Sequence, residues 1–373
     1  GYIVQPVYMP EQMLEIMEVF DGTTRVEDFV AAIKSTPNGN QFDFESFFSI
    51  MDFLDKSGFF ETDYFERIKV DVDAYNSSPV RPAVCAGNTY ESDPDALRGQ
   101  LDELLSSPNG HSQTAPRAVA VPHIDFRIGS AARDVYSSVY NSLRSSDADL
   151  FVILGTSHYS NDALFMTTEK DYGTPLGVVE TDKPLLAAFK EKIGMEWDNF
   201  DLAHRFEHSI ELQAVLLRHI FPDRKFTVLP ILCGSFHDYM QQSIVPDTEQ
   251  FFRKFTSALR ETIAESGRKA CIIASGDFSH VGKRFDDPIP ASALLAGTEV
   301  VDKEYLSHLV KCDKNGFYRA IVKSQDVSKV CGMSPFYTML ALAEPTDAEL
   351  LSYGVWDDSE TESAVTFAGI AYR

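Results

Sequence analysis

Leu150-Phe151-Val152-Ile153-Leu154-Gly155-Thr156-Ser157-His158 is the stretch on which the reading of this chain turns. Five apolar residues in a row suit a strand buried on both faces. The glycine and small hydroxyl residues that follow let the backbone turn tightly before an imidazole. The same grammar occurs twice more. Ala118-Val119-Ala120-Val121 runs into Pro122-His123-Ile124-Asp125, and Cys271-Ile272-Ile273-Ala274 runs into Ser275-Gly276-Asp277-Phe278-Ser279-His280. A fourth apolar run covers 226–232. Between the runs, apolar residues recur at helical spacing near 129–143, 182–193, 207–220 and 249–266. Strand, helix, strand at this rhythm predicts an α/β domain with a mostly parallel central sheet flanked by helices. Strands at 363–372, with 350–353 alongside, close the chain.

Upstream, Asn76-Ser77-Ser78-Pro79-Val80-Arg81-Pro82 reads as a linker or domain entry, between a module at 1–75 and an α/β domain at 76–373. In that module Met13, Ile16, Met17 and Phe20 recur at helical spacing, and Asp21-Gly22 marks a turn. Thr24, with Glu27 placed as in a capping box, predicts the N-cap of a second helix carrying Val30, Ala31 and Ile33. Residues 44–54 form a third amphipathic stretch that stops at Ser57-Gly58. An extended hairpin after these helices would make the module winged-helix-like. Such modules often bind DNA, but residues 1–75 hold 15 acidic and 5 basic side chains, a net charge of −10. Duplex contact needs clustered cations, so protein or peptide docking, or a structural cap, is the expectation.

The whole chain repeats that balance. Its 373 residues suffice for about two domains, and 33 Lys and Arg against 56 Asp and Glu leave a net charge of −23. This argues against nucleic acid and anionic membrane surfaces as partners. A 44% hydrophobic content with 27 Phe can fill a large core. No apolar run is long enough to span a bilayer, and the N-terminus shows no basic-then-apolar leader pattern. Five Cys without regular spacing do not make a disulfide framework. They suit a reducing compartment, which predicts a cytoplasmic protein.

In an open α/β sheet, ligands sit beyond the carboxyl ends of the strands. His123, His158 and His280 all fall at such ends. Neutral imidazoles converging from separate loops suit a divalent metal, and two His plus one anionic ligand leave positions open, as in non-haem iron sites; zinc hydrolases use a similar open site. Asp125 and Asp277 read as ligands, as partners that orient an imidazole, or as turn formers. The segment His204-Arg205-Phe206-Glu207-His208-Ser209-Ile210-Glu211 predicts a helix beginning near Glu207 with His208 and Glu211 on one face. Its histidines are four apart, but the glutamate is not next to the first, so the zincin motif is not met. His208 beside a glutamate is a general acid or base candidate, or a core histidine at a helix start. In Cys331-Gly332-Met333-Ser334-Pro335, Ser334 fits an N-cap and Pro335 a first helical position; Cys331 is a reactive thiol or an inert buried one. No glycine-rich phosphate loop, dinucleotide fingerprint or G-x-S-x-G elbow is present.

Taken in order, these segments resemble the Memo family, called AmmeMemoRadiSam system protein B in prokaryotes. Further matches are Arg81-Pro82 leading to Ala86-Gly87-Asn88-Thr89-Tyr90, then Thr174-Pro175-Leu176-Gly177, and Cys331-Gly332 before Pro335. The module at 1–75 is similar to the N-terminal extension of longer prokaryotic members. The resemblance implies a fold like that of class III extradiol dioxygenases of the LigB type, which hold iron(II) with two His and a carboxylate. It implies His123 and His158 as metal ligands, for iron(II) first and copper or zinc as options. It makes His208, Asp277 and His280 the catalytic candidates, with Asp125, Glu207, Glu211, Ser279 and Cys331 in the pocket. Animal members carry a Cys as third ligand where this chain is read to have Ser279, and a His where it has Cys85. The resemblance implies either a metal-dependent oxidoreductase or a non-catalytic binding protein using the pocket or the acidic module. Its expected partners are a small-molecule or peptide ligand, a radical SAM enzyme and an AMMECR1-type protein.

Overall fold

The computed structural model describes residues 23–35, 44–107, 115–194 and 200–373. The chain divides into a unit at Gly1–Ser78 and a unit at Pro79–Arg373. The helix expected around Met13 to Phe20 lies outside the described residues. In the first unit the described elements are helices α1 (Val26–Lys34), α2 (Phe44–Lys56) and α3 (Asp63–Ser77). Phe29 and Val30 of α1 pack against Phe47 of α2, the two phenyl rings meeting edge to face at 5.4 Å. Helix α1 starts one residue later than expected, with Arg25 rather than Thr24 at its cap and no side-chain cap bond. Where an extended hairpin was expected beyond Gly58, the chain forms α3. Val70-Asp71-Val72-Asp73 alternates like a strand, yet Thr62 caps the helix by accepting from Tyr64 N at 3.3 Å, and Asp63 and Glu66 favour its first turn.

The second unit runs β1 (Val80–Arg81), α4 (Pro94–Leu104), β2 (Ala118–Val121), α5 (Ser130–Leu143), β3 (Leu150–Thr156), β4 (Phe165–Thr167), β5 (Asp171–Tyr172), α6 (Lys183–Ile193), α7 (Asp201–Arg205), α8 (His208–Ile220) and β6 (Thr227–Cys233). It continues with α9 (His237–Gln241), α10 (Gln250–Ser266), β7 (Ala270–Ser275), β8 (His280–Gly282), α11 (Ala291–Val310), α12 (Lys314–Lys323), α13 (Met333–Ala343), β9 (Ala348–Asp358) and β10 (Ser363–Tyr372). The main sheet has the order β4-β6-β3-β7-β2-β10-β8, with β9 beside β10. Strands β6, β3, β7 and β2 are parallel; β4 and β10 flank them antiparallel. The fold is thus the expected α/β class, with a parallel centre and antiparallel edges.

Alternation along the strands splits the core in two. Leu150, Val152 and Leu154 of β3 face α6, α10, α12 and α13, whereas Phe151 and Ile153 face α4, α5 and α8. The result is helices on both faces of one sheet. No described helix is long and apolar enough to cross a membrane.

Register then places the site. Ser275 pairs with both Val121 and Gly155, so β2, β7 and β3 end level and their loops lie side by side. A Cβ at Gly155 would fall 2.5 Å from Ser209 Oγ, so glycine lets the first turn of α8 press onto β3. A Cβ at Gly276 would fall 2.4 Å from Gly332 Cα, so the loop before α13 packs directly onto the loop after β7. Gly332 holds the cap position of α13, and the helix begins at Met333, so Ser334 and Pro335 lie within its first turn rather than before it.

The segment read as a linker is tied down. Val80 and Arg81 pair with Asp171 and Tyr172 as a separate two-stranded sheet. Arg81 is wholly buried. Its guanidinium donates to Glu211, to His204 O at 2.7 Å, to Pro82 O at 2.9 Å and to Glu207 O at 2.6 Å. Glu211 also accepts from Tyr90 OH, from Cys85 N at 2.9 Å and from Val84 N at 3.2 Å. Removing one partner of a buried ion pair strands the other charge. Arg81→Met is therefore expected to cost about 3–5 kcal/mol in chemical unfolding, and the double change with Glu211→Met less than the sum of the two single changes.

Candidate metal centre

Three imidazoles meet above the carboxyl ends of β2 and β3. The ring centroids of His123 and His158 are 5.0 Å apart, those of His123 and His208 4.9 Å, and those of His158 and His208 4.7 Å. His123 lies at the floor with 2% of its side chain exposed, whereas His158 and His208 keep 29% and 30%. The pocket therefore opens on the His158–His208 side.

Glu207 organises that side. It caps α8, accepting from His208 N at 2.9 Å and Ser209 N at 3.1 Å. Its other oxygen accepts from His158 N at 2.7 Å. The oxygen that caps the helix also lies 3.0 Å from His158 Nδ1 and 3.2 Å from His208 Nδ1. A carboxylate only accepts, so the His158 ring turns an N–H at Nδ1 toward it, and a neutral ring held this way presents an unprotonated Nε2. Burial alone would raise the Glu207 pKa, but the charge of His158 and the bonds from both histidines hold it well below the carboxylate range. Burial likewise opposes a charged His158, yet the charge and hydrogen bond of Glu207 outweigh it and raise the pKa.

The third wall comes from the loops after β7 and before α13. Cys331 Sγ is 3.3 Å from His123 Nε2, and Asp277 N donates to the same sulfur at 3.2 Å. Asp277 Oδ1 accepts from His123 N at 3.2 Å, and its Oδ2 lies 3.6 Å from His123 Nε2. Burial, with the neighbouring imidazoles, keeps His123 well below its usual pKa, hence neutral. Burial pushes Asp277 up to about 7 and the Cys331 thiol well above its ordinary value. One donor atom each from His123, His158 and Cys331 lies within 4.8 Å of the others. A single ion bound at ordinary bond lengths needs them roughly 3.5 Å apart, so only a small closure is required. Two imidazoles and a thiol suit zinc, copper or iron rather than magnesium or calcium.

His280 stands beside this set. Its Nδ1 faces the carbonyls of Lys329 at 2.9 Å and Phe278 at 3.1 Å, and burial lowers its pKa to about 4. It forms a second potential donor group with Asp277 and Cys331.

Other expected site residues lie elsewhere. Ser279 does not face the pocket: its hydroxyl donates to Asp302 Oδ1 at 2.6 Å, inside the layer under β10. Asp125 is a turn former, accepting from Arg127 N at 2.8 Å and pairing with its guanidinium at 2.6 Å. Glu211 belongs to the Arg81 pair. Cys85 is buried against Glu211, which with burial pushes its thiol pKa up. His204 is a core histidine, held by Tyr172 OH at 2.8 Å and Met166 O at 3.0 Å. The thiol among the imidazoles is thus Cys331. The cue present in the sequence was Cys331-Gly332, a glycine pair with Gly276 that brings two loops into contact.

Comparison with known proteins places the chain in one family. The family described as Memo-like protein matches residues 81–371. A MEMO1 family protein of Aquifex aeolicus is 26% identical over 375 residues, covering 99% of this chain and 93% of its own length. One from Methanosarcina mazei is 28% identical over 296 residues, covering 78% of this chain and 97% of its own. One from Archaeoglobus fulgidus is 26% identical over 292 residues, covering 77% and 97%.

The state of Asp277 has a measurable consequence. A carboxyl that holds its proton more tightly folded than unfolded stabilises the fold while protonated; that contribution is whole below about pH 4 and is lost as pH rises through about 7. Metal-free wild type should therefore lose on the order of 4 kcal/mol relative to Asp277→Asn across that window, followed by urea unfolding at a series of pH values. A difference that stays flat would show that the buried carboxyl does not hold its proton.

Proposed function

The chain belongs to the Memo-like protein family, and from that premise we propose that its second unit is a metal-dependent oxidoreductase whose divalent ion, iron(II) first, is held by His123, His158 and Cys331. The observation that carries this reading is the meeting of two imidazoles with a thiol at one strand-end pocket. Bound there, the ion supplies Lewis acidity and, as iron or copper, redox chemistry.

The chain's own groups do the rest. Glu207 fixes the rings of His158 and His208 and keeps their Nε2 atoms directed away from itself. His208, on the open side, is placed to take or return a proton from a small molecule entering between it and His158. Asp277, whose pKa is near 7, can hold or release a proton at the floor under physiological conditions. The buried surroundings of His123 exclude bulk water there and strengthen every polar contact. In a non-catalytic binding protein the pocket or the acidic module at 1–75 would be the working surface; the thiol of Cys331 beside two imidazoles favours the metal reading.

Anaerobic loading with iron(II), copper or zinc, followed by elemental analysis, tests the proposal. Wild type should take up about one ion per chain, while His123→Ala and Cys331→Ser lose it and Ser279→Ala keeps it. Uptake that survives Cys331→Ser but fails in folded Ser279→Ala would reverse the ligand assignment. No uptake of any of the three ions would sink the proposal.

A further inference from the structure

Behind the pocket, a fully buried chain of polar groups runs from α5 through α8 to the floor histidine. Tyr140 OH donates to Gln213 Oε1 at 2.5 Å. Gln213 Nε2 donates to Pro122 O at 2.9 Å and to Ser275 Oγ at 2.8 Å. Ser275 Oγ donates to Ser209 O at 2.6 Å and lies 3.5 Å from His123 Nδ1, the outer edge of hydrogen-bond reach.

The donors in this chain can be assigned without ambiguity. Pro122 O and Ser209 O can only accept. The Gln213 amide must therefore turn its nitrogen to Pro122, which leaves its oxygen for Tyr140. The one proton of Ser275 is committed to Ser209. Ser275 Oγ then receives from Gln213 and has a single lone pair left, facing His123 Nδ1. A lone pair there can be met only by an N–H. Free imidazole prefers its proton on Nε2, which here lies 3.3 Å from Cys331 Sγ and 3.6 Å from Asp277 Oδ2. An acceptor behind Nδ1 favours the other tautomer.

We infer that Ser275, oriented by Gln213 and Tyr140, is a positioning residue that keeps the His123 proton on Nδ1 and so leaves Nε2 as a donor for a metal. The chain ends at Tyr140, which is buried, so it sets a tautomer rather than conducting protons to solvent. Glu207 does the same for His158 and His208 with a charge; the floor histidine is served by neutral groups, which suits a site with no exposure to offset a second carboxylate.

The tautomer arm of the test needs no metal; only the affinity arm rests on the metal reading. In metal-free protein carrying 15N-labelled histidine, two-bond 1H–15N spectra report which ring nitrogen is protonated, with His123 assigned by the signal lost in His123→Gln. Wild type should read Nδ1–H. Ser275→Ala and Ser275→Cys should move the proton to Nε2 and weaken zinc binding by about 10- to 100-fold, whereas Ser275→Thr keeps the hydroxyl and the wild-type pattern. Nε2–H in wild type, or Nδ1–H retained in both folded Ser275 variants, overturns the inference. A moved proton with unchanged zinc affinity overturns its metal half alone.

Discussion

Glu207 is a carboxylate with no solvent exposure, and the pocket depends on how that charge is compensated. An unpaired buried carboxylate would cost several kcal/mol and would protonate instead. Here four N–H groups and the N-terminal end of α8 converge on it. Satisfying the charge fixes the loop after β3 to the first turn of α8, and with them the relative placement of His158 and His208. The same residue's carbonyl is taken by Arg81, so the backbone at Glu207 is held from behind while its side chain works in front. Gly155 completes the arrangement, since any side chain there would push α8 off the strand.

The parallel strands were legible because fully buried strands leave unbroken apolar runs, and β2, β3, β6 and β7 fall within a residue or two of those runs. Helix α11 was not. Its buried residues, among them Ala291, Thr298, Asp302 and Tyr305, mix polar with apolar, and exposed Val300 sits among them, so no clean stripe marks it. The burial of Arg81 was not legible for a related reason. A guanidinium with enough buried acceptors can lie in the core, and only the fold gathers those acceptors.

The site divides along the same line. His123 and His158 announce themselves because each follows its own strand directly. Cys331 could not be placed by spacing, as it lies 208 residues from His123 in the chain and meets it only through the Gly276–Gly332 contact. Ser279 misled because it sits two residues from Asp277 in a segment rich in site residues. The chain there is already pairing with β10: Phe278 N donates to Thr366 O, and Thr366 N to Ser279 O. That pairing turns Ser279 toward Asp302 and away from the pocket.

Burial leaves most of the pocket's ionisable groups uncharged. Burial holds His123 and His280 neutral and favours the protonated forms of Asp277 and Cys331, which leaves Glu207 as the carboxylate held charged in the pocket. Such a site does not accumulate several anions in advance, which burial would make costly. It stores acidic protons instead. In the proposed metal site, an ion held by His123, His158 and Cys331 would displace the thiol proton and would lower the affinity of Asp277 for its own, so that negative charge would arise only where a positive one meets it. Binding and proton release would then be coupled, because the thiol and the carboxyl are pocket groups whose protonated forms burial favours.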